Sequence, residues 1–70
     1  MFWWFERNGT YLRCEVLDSP GGGYELRVCN PDGTERVEHF TDSASLARRQ
    51  RVVLDELAAE GWSGPHGWNL

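Results

Sequence analysis

Three turn sequences divide the first forty or so residues of this chain into segments with strand character. Asn8-Gly9 is the strongest of them, because two adjacent residues that tolerate positive φ favour the type I′ turn of a two-residue β-hairpin. The Pro- and Gly-rich segment 18–23 cannot continue a strand, and Asn30-Pro-Asp-Gly33 is typical of a type I turn. The segments between these turns are predicted as strands, at roughly 2–7, 10–17, 24–30 and 35–41.

After the fourth segment the hydrophobic period changes from that of a strand to that of a helix. Apolar residues over 46–58 lie within one arc at about 100° per residue. Asp42 or Ser43 can cap the N-terminus, and Gly61 followed by Trp62 suits a Schellman-type end, so the helix has about eighteen residues.

These elements predict an α+β fold of the order ββββα. A four-stranded antiparallel meander forms the sheet, and one C-terminal helix packs on one of its faces. Residues 1–61 are predicted to form a single domain and residues 62–70 a C-terminal tail.

The two-residue turn sets the register of the first hairpin, and cross-strand partners share a face of the sheet. We call face A the side that carries Trp3 and Phe5, and face B the side that carries Phe2 and Trp4. Face A is predicted to be apolar and to lie under the helix. Its predicted members are Trp3, Phe5, Leu12, Cys14, Val16, Tyr24, Leu26, Val28 and Val37.

The register of the last hairpin depends on the length of its loop, which can hold three or four residues. We predict the register of the four-residue loop, which pairs Val28 with Val37 and brings His39 opposite Leu26 on face A. The same register predicts a row of alternating charge on face B. Its members are Glu15, Arg27 and Glu38.

Aromatic side chains on face B are predicted to have no helix above them. Exposed apolar patches that include Trp, Tyr and Arg are typical of protein interfaces. Trp4 lies beside Arg13, where a cation–π contact is possible. The candidate binding residues are Phe2, Trp4, Tyr11, Arg13, Arg27 and Phe40. An alternative is that the tail folds back and covers this face with Trp68.

The charge balance argues against general binding of nucleic acid. Seven basic and eleven acidic residues give a net charge of −4, whereas contact with phosphates needs a positive surface. Aromatic side chains interleaved with arginine nevertheless form stacking platforms for single strands. Single-stranded nucleic acid therefore remains the alternative ligand of face B, with Arg27 and Arg48 as additional contacts.

Neither catalytic nor metal-binding patterns stand out. Cys14 and His39 are the only nucleophile and base predicted to share a face, and they would lie under the helix. Together with Cys29 and His66 they are too widely spaced for a zinc site of close ligand pairs. The two cysteines are predicted on opposite faces, which excludes a disulfide between them. We therefore predict no enzyme activity, metal or cofactor.

The N-terminal apolar run Met1–Phe5 is too short for a signal peptide and has no basic leader. No apolar run approaches the ~18 residues of a membrane span, so we expect a cytoplasmic protein that does not bind membranes. The sequence as a whole predicts a small non-enzymatic interaction module. Its partner is predicted to be a second copy, forming a homodimer, or another protein.

Overall fold

The computed structural model describes residues 1–67. One helix lies against an antiparallel sheet of five strands, whose spatial order is β4-β3-β2-β1-β5. The elements in chain order are β1 (Phe2–Arg7), β2 (Thr10–Asp18), β3 (Tyr24–Cys29), β4 (Glu35–Phe40), α1 (Ser43–Ala59) and β5 (Ser63–His66). The predicted meander and C-terminal helix are confirmed, and β5 is an additional short strand. In the described part of the chain no helix is both long and apolar enough to cross a bilayer.

The first two strand pairings have the predicted register. Asn8 and Gly9 have φ values of 52° and 77°, as a type I′ turn requires. Trp3 pairs with Cys14, and Cys14 with Val28. The apolar side chains of β1, β2 and β3 therefore meet on face A, as the alternation of the sequence predicts.

The predicted register of the last hairpin is wrong by one residue. Val28 pairs with Arg36 rather than with Val37. The reason is the loop: the Asn30 N–H donates to the Thr34 carbonyl at 2.8 Å and the Gly33 N–H to the Asn30 carbonyl at 3.0 Å, which closes a loop of three residues. A shift of one residue moves every side chain of β4 to the other face of the sheet.

This shift overturns four predicted positions. Val37 lies on face B and is 40% exposed, and His39 lies beside it on the same face. Phe40 instead packs against the core on face A, so it is not part of an uncovered aromatic face. Glu38 also faces the helix, where Arg49 donates hydrogen bonds of 2.9 and 3.1 Å to its two carboxylate oxygens.

The core lies between face A and one side of α1. The Asp42 carboxylate caps the helix by accepting from the Ser45 N–H at 2.7 Å. The buried core residues are Trp3, Phe5, Leu12, Cys14, Leu26, Val28, Leu46, Val53, Leu57 and Trp62.

The end of α1 joins the helix to the first strand. The Trp62 N–H donates to the Leu57 carbonyl at 3.0 Å, which confirms the predicted Schellman-type end. Arg7 donates to the Glu60 carbonyl at 2.7 Å, and its guanidinium lies 4.4 Å from the centroid of the Trp62 ring. Arg7 therefore brings a positive charge to the negative end of the helix dipole.

Residues 63–66, predicted as part of a tail, form β5 instead. Glu6 pairs with Ser63 and Trp4 with His66, with an irregularity between the two pairs. The Ser63 hydroxyl donates to the Glu6 carbonyl at 3.0 Å. Trp68, the residue predicted as a possible cover for face B, lies outside the described residues.

Candidate functional site

A shallow aromatic depression lies on face B, the side of the sheet opposite α1. It has a volume of about 390 Å³, and its lining consists of Phe2, Trp4, Tyr11 and Arg13. Phe2 is 40% exposed and Tyr11 is 57% exposed. Four of the six predicted binding residues therefore line one depression.

Alternation along two neighbouring strands brings these side chains together. Phe2 and Trp4 are two residues apart on β1, so both point to face B, and their ring centroids are 6.1 Å apart. Tyr11 and Arg13 have the same relation on β2, where Arg13 is the direct cross-strand partner of Trp4. The depression is thus a product of local sequence and of the Asn8-Gly9 turn.

One side of Trp4 rests against residues that the sequence analysis missed. The His66 ring is centred 6.2 Å from the Trp4 ring. Gly67 has a φ of 67°, and a Cβ built at this position would overlap the Trp4 ring and lie 2.7 Å from its Cε3. Ser63-Gly-Pro-His66 has no strand-like pattern, so no sequence signal pointed to this support.

Gly67→Ala is expected to displace the Trp4 ring and to lower the free energy of unfolding by about 1–2 kcal/mol, since an L side chain is strained at positive φ. The measurements are urea unfolding and the NMR chemical shifts of the Trp4 and Phe2 rings. Gly21→Ala is the matched control, because Gly21 has a φ of 87° and open space around it. Trp4 and Phe2 shifts that match those of the control would refute the predicted contact.

Arg27 lies near the depression but does not line it. It lines a smaller adjoining hollow of about 150 Å³, together with Phe2, Arg13 and others. Its guanidinium is 3.7 Å from a Glu25 carboxylate oxygen and 3.6 Å from one of Glu35. By contrast, Arg13 forms no ion pair with any carboxylate of residues 1–67, so its charge is available to a ligand.

The prediction that Cys14 and His39 share a face is wrong, because the register shift places them on opposite faces. Burial raises the pKa of the Cys14 thiol to about 12, which keeps it neutral and unreactive at ordinary pH. The His39 ring lies 3.8 Å from the Glu25 carboxylate on face B. Both Cys14 and Cys29 are free thiols, which agrees with the predicted absence of a disulfide.

Residues 1–67 contain no group of three or more His, Cys, Asp or Glu side chains placed to hold a metal ion. Among the described residues, the aromatic depression therefore offers the rings of Phe2, Trp4 and Tyr11 and the guanidinium of Arg13 as its chemistry. Such a surface can stack against apolar or aromatic groups and can bind an anion at Arg13.

No protein family, curated protein or solved structure matches this chain.

Proposed function

We propose that this protein is a small non-enzymatic interaction module that self-associates through the aromatic depression. The observation that supports this proposal is the cluster of three rings beside Arg13 on face B, of which Phe2 and Tyr11 are exposed. Exposed apolar patches of this kind mark interfaces, and Trp, Tyr and Arg are the residue types most enriched among energetic hot spots.

The depression has the features of a self-complementary surface, which a two-fold contact requires. Tyr11, which is 57% exposed, is the most exposed of the three rings that line the hollow. A second copy related by a two-fold axis can place its own Tyr11 in this hollow while receiving the same ring in return. Arg13 of each copy then lies near Trp4 of the other, where a cation–π contact contributes about 0.5–1 kcal/mol.

The charges of face B are compatible with such a contact. Both signs occur close together, since Arg13 and Arg27 lie among Glu15, Glu25 and Glu35. Two copies of a surface of mixed sign can meet with opposite charges adjacent, whereas two copies of a single-sign surface repel.

Tyr11→Ser is expected to weaken self-association by about tenfold or more, as removal of a hot-spot side chain does. The measurement is sedimentation equilibrium or light scattering over a range of protein concentrations, for the wild type, Tyr11→Ser and Trp4→Ala. Tyr11→Ser is the more informative variant, because Tyr11 is 57% exposed and its loss leaves the core intact.

Arg48→Ala is the control for this experiment. Arg48 is exposed on α1, and its guanidinium donates to the Ser45 hydroxyl at 3.2 Å, on the side of the sheet away from the depression. This variant is expected to associate like the wild type. A wild-type protein that stays at 8.0 kDa at all concentrations would refute the proposal.

Single-stranded nucleic acid is the second candidate ligand of the same face. The observation in its favour is that the rings of Phe2, Trp4 and Tyr11 lie beside Arg13, which has no ion pair within residues 1–67. Rings can stack on bases, and arginine can bind phosphate. Arg27 is already paired with two carboxylates, and Arg48 lies on the helix side, so neither adds to a basic surface around the depression.

Titration of a labelled single-stranded oligonucleotide at low salt tests this alternative. Affinity that falls steeply with salt and is lost in Tyr11→Ser would favour nucleic acid over self-association as the function of the depression. Absence of binding at low salt would eliminate the alternative, because phosphate contacts are strongest there.

A further inference from the structure

Within the described chain, the sheet ends in two edge strands, β4 and β5, that differ in their capacity to pair with another strand. β5 contains Pro65, which has no N–H to donate, and proline is a common device that keeps an edge from pairing. β4 has no proline and presents a full set of backbone donors and acceptors. It is therefore the edge at which the sheet can be extended.

The last hairpin shows which groups of β4 point outward. The Asn30 N–H donates to the Thr34 carbonyl, so this pair is hydrogen-bonded. Bonded and non-bonded pairs alternate in an antiparallel ladder. Arg36, Glu38 and Phe40 therefore bond to β3, whereas Glu35, Val37 and His39 direct their N–H and C=O groups away from the sheet.

When β4 is placed antiparallel to a second copy of itself, its acidic and basic side chains can lie opposite each other. The strand reads Glu35-Arg36-Val37-Glu38-His39. If an antiparallel second copy is centred on Val37, Arg36 lies opposite the oppositely charged Glu38 of that copy, and Glu35 lies opposite His39, whose ring N–H can donate to the carboxylate. Side chains directly opposite each other on one face attract when their charges are opposite.

Neighbouring registers do not have this property. A pairing centred on Glu35 or Glu38 places two carboxylates directly opposite each other, and one centred on Arg36 places two guanidinium groups together. Like charges in these positions destabilise a strand pair. The register centred on Val37 pairs this residue with Val37 of the second copy. Both residues direct their backbone N–H and C=O groups away from their own sheets, as a hydrogen-bonded pair requires.

We propose that β4 pairs with β4 of a second copy of this chain in the register centred on Val37. The two five-stranded sheets become one continuous sheet joined by about six new backbone hydrogen bonds. The two-fold axis is perpendicular to the sheet, so both helices lie on face A. Val37, 40% exposed in the single chain, then packs against its own counterpart.

This contact is separate from the aromatic depression and does not depend on it. Val37 lies on the outermost strand at one end of the sheet, while Trp4 and Tyr11 lie on β1 and β2. If both contacts form, each chain has two different two-fold partners, and the assembly exceeds a dimer.

Cysteine cross-linking tests the register directly. The reference protein carries Cys29→Ser, since the native Cys29 is partly exposed on face B, whereas Cys14 is buried. Val37→Cys in this protein is expected to form a disulfide-linked dimer under mild oxidation. The Cα atoms of a bonded antiparallel pair are about 5.5 Å apart, within the range that a disulfide spans.

His39→Cys is the matched control, because residue 39 faces residue 35 of the second copy rather than itself. Val37→Cys is expected to cross-link about tenfold faster than His39→Cys alone, since only the former holds its two thiols at high effective concentration. A mixture of His39→Cys with Glu35→Cys is expected to give mixed dimers faster than either protein alone. Equal rates for Val37→Cys and His39→Cys would overturn the proposal.

The same cross-linking in a Tyr11→Ser background separates the two contacts. Val37→Cys is expected to cross-link there at an unchanged rate. Loss of cross-linking in that background would overturn the separate β4 contact and leave self-association at the depression intact. Two results together would refute the depression contact and support β4 pairing. The cross-linking would persist in the Tyr11→Ser background, and the wild-type and Tyr11→Ser proteins would have the same oligomeric mass.

Discussion

Trp62→Ala is expected to lower the free energy of unfolding by about 3–5 kcal/mol, the usual cost of removing a large ring from a core. Trp62 is 7% exposed and lies where the end of α1 turns into β5. The substitution also removes the ring that Arg7 covers. A domain of this size has about 5 kcal/mol of stability in total, so the variant is expected to be largely or partly unfolded at room temperature.

The measurement is urea unfolding followed by far-ultraviolet circular dichroism, because removal of a tryptophan changes the fluorescence signal itself. Trp62→Phe keeps a ring in the core and is expected to recover a large part of the lost stability. Val52→Ala is the surface control, since Val52 is 44% exposed on α1, and its effect is expected within about 0.5 kcal/mol. A Trp62→Ala protein as stable as Val52→Ala would contradict the assigned role.

Alkaline pH is expected to destabilise the fold through Cys14. Burial raises the pKa of this thiol from 9.0 to about 12. Between these two values the unfolded chain releases the thiol proton and the folded chain retains it, so stability is fully present below pH 9 and falls as the pH rises. The expected slope is about 1.4 kcal/mol per pH unit, or about 2 kcal/mol lost at pH 10.5.

Urea unfolding at pH 8 and pH 10.5 measures this effect, with Cys14→Ala as the control. The contributions of all other groups to the pH dependence are common to both proteins. Between pH 8 and pH 10.5 the wild type is therefore expected to lose about 2 kcal/mol more stability than Cys14→Ala does. A constant difference would show that the thiol titrates alike in both states.

The part of the fold predicted most accurately depends on local interactions. Asn8-Gly9 sets the β1–β2 register within a few residues of chain, and the helix cap at Asp42 and its end at Gly61 follow from neighbouring residues. Four members of the aromatic depression follow from the same hairpin by alternation alone. Local signals were sufficient there because the interacting groups are close in sequence.

The register of the last hairpin was predicted wrongly because the sequence allows two loop lengths that local turn chemistry does not distinguish. Asn30-Pro-Asp-Gly33 can close with three or four residues, and either choice places one apolar residue of β4, Val37 or Phe40, against the core. The tertiary structure selects the three-residue loop, in which Phe40 packs on face A and Glu38 meets Arg49 of the helix. The ion pair between Glu38 and Arg49 joins β4 to α1, and no local sequence pattern specifies how this strand and this helix lie relative to each other.

The sequence alone was enough to specify four strands, one helix and an aromatic hairpin whose side chains alternate between the two faces, because turn chemistry and hydrophobic period act over short distances. Only the folded chain shows that residues 63–66 complete the sheet and that Gly67 supports Trp4. Proline and glycine gave this segment no strand signal of its own. Its pairing depends on the free edge of β1, which lies far from it in the sequence.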